Sequence, residues 1–143
     1  MVRPLQLALL AVAVSLIVPR VLKAQGWTPP SRQMPAMPAV TELEGGWVSS
    51  QGAWFPGASA ASLKGSASGA RAGKALQVRF TNAGTPVPVA VWSDRNGDGK
   101  SDMIELYRGG SVVIQLIDAD FDGSANVVRE YDSSGSLSRE TRL

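Results

Sequence analysis

The chain has 143 residues, with 14 lysines and arginines against 12 aspartates and glutamates, so its formal net charge is +2, and it contains neither cysteine nor histidine. This composition excludes disulfide bonds, a lipoprotein anchor, histidine zinc sites, thiol nucleophiles and Ser-His-Asp triads. Carboxylates alone support glycoside hydrolysis, but the aspartates of this chain stand at metal-ligand spacing, and we expect no enzymatic activity. No basic patch with interleaved aromatic residues occurs, so we expect no nucleic-acid partner.

Residues 1–24 are typical of a secretory signal peptide. Arg3 precedes an apolar run at 5–18, which is too short to span a bilayer comfortably, and Ala24 stands where a signal peptidase would cut. Cleavage would leave 119 residues, enough for one hydrophobic core, with 11 basic and 12 acidic residues. The alternative is an uncleaved membrane anchor, because two basic residues separate the apolar run from the cut. Both interpretations predict export, to the periplasm or the medium.

The segment 25–40 contains four prolines and predicts an extended linker ahead of a β-domain at 41–143. Near the start of this domain, Trp47, Trp54 and a neighbouring phenylalanine lie among glycines and serines, which favours two short strands joined by a turn. We expect these aromatic side chains to be buried in the core. The alternative is an exposed surface on which carbohydrate rings stack.

The middle of the domain contains one weak and one strong pattern. Residues 57–73 are rich in alanine, serine and glycine, a composition that predicts a flexible loop. Residues 76–81 alternate strictly between apolar and polar side chains, which predicts a half-buried strand. The β-formers at 89–92 follow two prolines, so a helix is not expected there.

Two later stretches, 94–105 and 118–129, place oxygen-bearing side chains at alternate positions and follow them with glycine. A calcium loop takes ligands from its first, third, fifth and ninth positions and from the carbonyl of the seventh, with glycine at the sixth and a carboxylate at the twelfth. The first stretch meets the whole pattern, and the second departs from it only at Arg129, in position twelve. Ordinary solvated turns are the alternative, because Asp, Asn and Gly also gather there. The predicted metal ligands are Asp94, Asn96, Asp98, the Lys100 carbonyl, Asp102 and Glu105 in the first stretch, and Asp118, Asp120, Asp122, the Ser124 carbonyl and Asn126 in the second.

The two stretches are in register at an interval of 24 residues, and Tyr107 and Tyr131 recur at the same interval. This spacing predicts an internal repeat, with units at 89–112 and 113–141. Each unit runs from strand to acidic loop to strand to turn. The predicted fold class is therefore all-β: a small antiparallel sheet or meander with two acidic DxDxDG loops between strands, and not helical EF-hands.

These residues resemble the tandem calcium-binding β repeats of the FG-GAP and VCBS class, and similar repeats of exported bacterial proteins. The resemblance covers 89–141, roughly a third of the chain. It implies ligands from loop positions one, three, five and nine and from a following carbonyl, so that Arg129 at position twelve matters less. It also implies binding or adhesion, although two repeats are too few to close a β-propeller.

These features together predict an exported domain that binds one or two structural Ca²⁺ ions and serves as a surface or extracellular-matrix interaction module, with a cell-surface protein or a glycan as its partner. We expect the first loop to bind more tightly than the second, since Arg129 adds a positive charge beside the second. The alternative function is an envelope glycan-binding protein or enzyme accessory that uses the Trp47 and Trp54 region. An exposed aromatic groove would favour that alternative, and burial of the rings would count against it.

Overall fold

The computed structural model describes residues 27–44, 46–56 and 58–143. The signal peptide predicted at 1–24 lies outside these residues. Across the described ranges, no helix is both long enough and apolar enough to cross a membrane.

Seven strands form a single antiparallel sheet in which every strand pairs with its neighbours in sequence. The strands are β1 (Leu63–Arg71), β2 (Lys74–Asn82), β3 (Pro88–Ser93), β4 (Met103–Arg108), β5 (Ser111–Ile117), β6 (Val127–Tyr131) and β7 (Leu137–Arg142). The acidic loops connect β3 to β4 and β5 to β6, so the predicted all-β class with acidic loops between strands is confirmed.

One face of the sheet forms the hydrophobic core. In β2, Val78 and Phe80 are fully buried while Arg79 between them is exposed, as the alternating pattern predicts. The strand register continues this pattern across the sheet, because each strand from β2 to β6 contributes a buried apolar residue to one transverse row. The row consists of Val78, Trp92, Ile104, Leu116 and Val128. Burial of one apolar side chain of this kind contributes about 1.5 to 3 kcal/mol to the stability of the fold.

Short helical turns cover this face with aromatic side chains. They comprise α1 (Trp47–Ser50) and 3-10 turns at Val40–Glu44, Gly52–Trp54 and Ala60–Ser62. The Phe55 ring stacks on Trp92 at 5.8 Å between centroids, and Trp54 meets Trp92 edge-on at 6.1 Å. The two strands predicted here are therefore wrong, since compact turns place these rings over the sheet. Trp54 is only 7% exposed, and Trp47 is half-buried with its ring packed on Phe80 and Trp92, which counts against an aromatic carbohydrate surface.

The flexible loop predicted at 57–73 is also wrong, because most of it is the edge strand β1. This strand gains order from main-chain pairing with β2, and its small side chains are mostly exposed. Gly65 allows close packing here, since a Cβ at that position would lie 2.9 Å from Cδ2 of Leu43. A composition typical of loops thus forms a strand where the neighbouring strand supplies the hydrogen bonds.

Residues 32–40, which we call the strap, cross the end of the sheet at which both acidic loops connect the strands. The linker prediction for 25–40 needs correction over the described part: the chain there is extended, but Met34 and Met37 are 5% and 0% exposed and belong to the core. Isolated bridges join the strap to the β5–β6 loop, the β3–β4 loop and the start of β2. The strap is therefore an integral part of the domain.

Every third residue of the strap forms a main-chain hydrogen bond with one of the loops at this end of the sheet. Its amides donate to the carbonyls of three glycines, at 2.9, 2.9 and 3.1 Å, and its carbonyls accept from amides two residues beyond each glycine. A proline-rich extended chain rises about 3.1 Å per residue, so three residues span about 9.3 Å. Successive loops at this end of the sheet are two strands apart, which is about 9.6 Å. The strap amides belong to Met34, Met37 and Val40, and the glycines are Gly123, Gly99 and Gly73.

Candidate metal centre

The first acidic loop, 94–102, is organised around two buried carboxylates. Asp94 is 5% exposed and accepts hydrogen bonds from the amides of Gly97 at 2.7 Å and Gly99 at 2.8 Å. Asp102, 1% exposed, accepts from the amides of Arg95 and Asn96 at the start of the loop. Gly99 has φ of 87°, a left-handed conformation that explains why the sixth position is glycine.

Three carboxylates converge in this loop. Asp94, Asp98 and Asp102 each offer an oxygen atom, and these atoms lie within 4.8 Å of one another. Burial raises the pKa of Asp102, and the nearby carboxylates of Asp94 and Asp98 raise it further, although two backbone hydrogen bonds oppose this shift. Like charges at such separations repel. A cation placed among these oxygens would convert that repulsion into coordination.

The second acidic loop, 118–126, shares the hydrogen-bond pattern of the first. Asp118, 1% exposed, accepts from the Gly123 amide at 2.8 Å, as Asp94 does from Gly99. At the end of the loop, Asn126 accepts from the Ala119 amide at 2.9 Å, in the role that Asp102 has in the first loop. Carboxylate oxygens of three residues again lie within 4.8 Å of one another. These residues are Asp118, Asp120 and Asp122.

The carbonyls predicted as ligands each lie between two hydrogen bonds that join their loop to the strap. In each loop the strap hydrogen-bonds the carbonyl of the sixth residue and the amide of the eighth. These bonds bracket Lys100 in the first loop and Ser124 in the second, and neither of these two carbonyls accepts a hydrogen bond among the described residues. The strap therefore leaves the seventh carbonyl of each loop available as a ligand. Asn96 also stays within the first loop, where its side chain bonds Asp98.

Glu105, predicted as a ligand, and Arg129, predicted to lie beside the second loop, each pair with a residue outside the loops. Glu105 lies outside the group of converging carboxylates, and it accepts a hydrogen bond from Gln115 at 2.8 Å across the strand pair. Glu105 already belongs to β4, where it is paired with Gln115 of β5. Its side chain therefore lies on the sheet and does not return to the loop. Arg129 forms an ion pair with Glu140 at 2.8 Å, and this pairing raises the pKa of the guanidinium and lowers that of the carboxylate.

Three cationic side chains that the sequence did not predict reach the acidic loops. They belong to Arg71, Arg95 and Lys100. One signal was present, since Arg71 and Arg95 are separated by the same 24 residues as the loops.

The fold and site define an antiparallel β-meander with two acidic groups that could hold metal ions. No protein-family model matches the chain, and the searches of curated proteins and of solved structures gave no match. The resemblance to calcium-binding repeats therefore rests on the loop residues and their spacing.

Proposed function

We propose that the protein is an exported calcium-binding domain whose ions are structural. The observation that carries this proposal is the convergence of two separate carboxylate triplets, each within 4.8 Å, on the same edge of one sheet. All their ligand atoms are oxygen, which suits a hard cation. Each carboxylate has about four lone-pair sites, so those that already accept backbone amides retain capacity for an ion.

Calcium fits these loops better than magnesium does. Calcium accepts six to eight oxygens in an irregular shell, whereas magnesium requires a tight octahedron and releases its water reluctantly. A loop that combines carboxylates, an amide side chain and a main-chain carbonyl supplies the larger and more flexible shell. The export that we propose agrees with this assignment, since extracellular modules bind calcium with dissociation constants of about 10⁻⁴ to 10⁻³ M.

The ions would stabilise the edge where the strap meets the sheet. Each acidic loop joins two strands and also holds the strap through its glycine carbonyl. A loop fixed by an ion presents that carbonyl in a constant position, and the strap in turn buries Met37 against the core. The chain has no disulfides, and each bound ion would in their place cross-link two strands and the strap.

We further propose that the domain is a non-catalytic interaction module. The surface that supports this is the sheet face opposite the aromatic cover. There Tyr131 donates to Gln115 at 2.6 Å, and Gln115 donates to Glu105 at 2.8 Å, which forms a hydrogen-bonded row over three strands. Such a face offers polar groups to a cell-surface protein or glycan. Binding of the protein to cells in calcium, and its loss in EDTA, would test this part.

Calorimetric titration with calcium, and with magnesium as the control ion, tests the metal proposal. We expect one or two calcium sites and much weaker magnesium binding. Asp98→Ala and Asp122→Ala should each weaken one site, whereas Asp132→Ala removes an exposed aspartate outside both loops and should leave binding unchanged. A calcium titration without binding heat and without any change in a thermal melt would contradict the proposal.

A further inference from the structure

Arg95 belongs to the first acidic loop, but its side chain lies on the second. Its guanidinium carbon is 5.3 Å from the centre of the Phe121 ring, and its Nη2 donates to the Asp118 carbonyl at 3.3 Å. Phe121 has φ of 59°, an uncommon conformation for a residue of this type. The contact therefore places a permanent positive charge against the second acidic loop.

Lys100 places a second positive charge near the second loop. A Cβ built on Gly123 would lie 3.4 Å from Lys100 Nζ and 3.7 Å from its Cδ. The ammonium group is thus close to the sixth position of the second loop, and a cleft between strap and loop is lined by both Lys100 and Asp122. The main chain of Lys100 serves the first loop, while its side chain extends to the second.

The first loop receives fewer such charges. Arg71, from the end of β1, donates from Nη1 to the Asn96 carbonyl at 3.3 Å. The sequence suggested that Arg129 would place a positive charge near the second loop, but that guanidinium is paired with Glu140. The second loop therefore has two cationic neighbours, Arg95 and Lys100, both supplied by the first loop.

We propose that Arg95 and Lys100 act as resident counter-charges of the second loop and lower its affinity for calcium. Because the first loop has one such neighbour, Arg71, and the second has two, the loops fill in order, the first before the second. This inference rests on the proposed calcium-binding function. In the ion-free protein these cations reduce the net negative charge around the second loop. When an ion is bound, they repel it, and a unit charge on a neighbouring side chain changes affinity by about threefold to tenfold in a solvated site.

The test is a calcium titration of the full chain followed by two-dimensional NMR. The amides of Gly99 and Gly123 report the two loops separately, because each donates to the first carboxylate of its own loop. In the wild type, the Gly99 signal should reach its midpoint at a lower calcium concentration than the Gly123 signal. Arg95→Gln and Lys100→Gln should each move the Gly123 midpoint about threefold to tenfold lower, and further than they move the Gly99 midpoint.

Arg129→Gln is the matched control, because it removes one positive charge just beyond the second loop that is already paired. It should move neither midpoint. If calcium shifts both glycines but neither Arg95→Gln nor Lys100→Gln changes the Gly123 midpoint, the counter-charge inference is overturned while the proposed function stands. Lys100→Gln keeps the test valid if loss of the Phe121 contact unfolds the arginine variant. A titration that shifts neither glycine would overturn the proposed function itself.

Discussion

Removal of calcium by excess EDTA should lower the melting temperature of the protein. In the ion-free state the first loop must hold Asp94 and Asp102 buried beside the carboxylate of Asp98, and burial already raises the pKa of Asp102. An ion that binds only the folded state stabilises it by RT ln(1 + [L]/Kd), about 1.4 kcal/mol at ten times Kd. Because the second loop is expected to bind more weakly, the total is about 1 to 2 kcal/mol.

For the 119 residues that follow the predicted leader, that free energy corresponds to a shift of roughly 4 to 8 °C. The assay is a thermal melt followed by circular dichroism in millimolar calcium, in millimolar magnesium and in EDTA. Magnesium should restore little of the lost stability, since it prefers a tighter shell. The double variant Asp94→Asn, Asp118→Asn should melt at the same temperature in calcium and in EDTA.

A wild-type melt that is unchanged between EDTA and millimolar calcium would refute the structural role of the ions. The two loops would then be acidic turns held only by hydrogen bonds from their own backbone amides. A shift of equal size in magnesium would instead contradict the preference for calcium.

Further predictions concern the strap, the leader and one turn. Met37 is fully buried, so Met37→Ala should reduce the free energy of unfolding, measured in urea, by about 2 to 4 kcal/mol. Gln33→Ala, at an exposed position of the strap, should change it by less than about 0.5 kcal/mol. Equally small effects of both variants would mean that the strap does not pack on the sheet. The exported protein should begin at Gln25, and N-terminal sequencing that finds the leader retained would support the membrane anchor instead. Hydrogen bonds from two turn serines lower the pKa of Asp132 below its ordinary 3.8, so its stabilising contribution is present above that value and is lost as pH falls through the folded-state pKa. Asp132→Asn should therefore weaken the acid dependence of the melting temperature below about pH 4, and an unaltered dependence would contradict this assignment.

Local patterns in the sequence were sufficient for most strands and for the acidic loops. The alternation at 76–81 predicted β2, because a strand with one buried face repeats every two residues. The spacing of the aspartates and glycines predicted both loops, because a tight turn around carboxylates restricts backbone conformation at fixed positions. Edge strand β1 was missed, since its order comes from pairing with β2 and its side chains carry no such pattern.

The sequence by itself determined the all-β class and the two groups of carboxylates, because both depend on the order of neighbouring residues. The tertiary structure alone decided which charges surround those carboxylates. It pairs Arg129 with Glu140 and turns Glu105 toward Gln115, and it brings Arg95 onto the second loop. These contacts join residues on different strands or loops, and their geometry follows from the register and stacking of the sheet. The packing of the strap arises in the same way, because the rise of an extended proline-rich chain matches the spacing of alternate loops only once the sheet has formed.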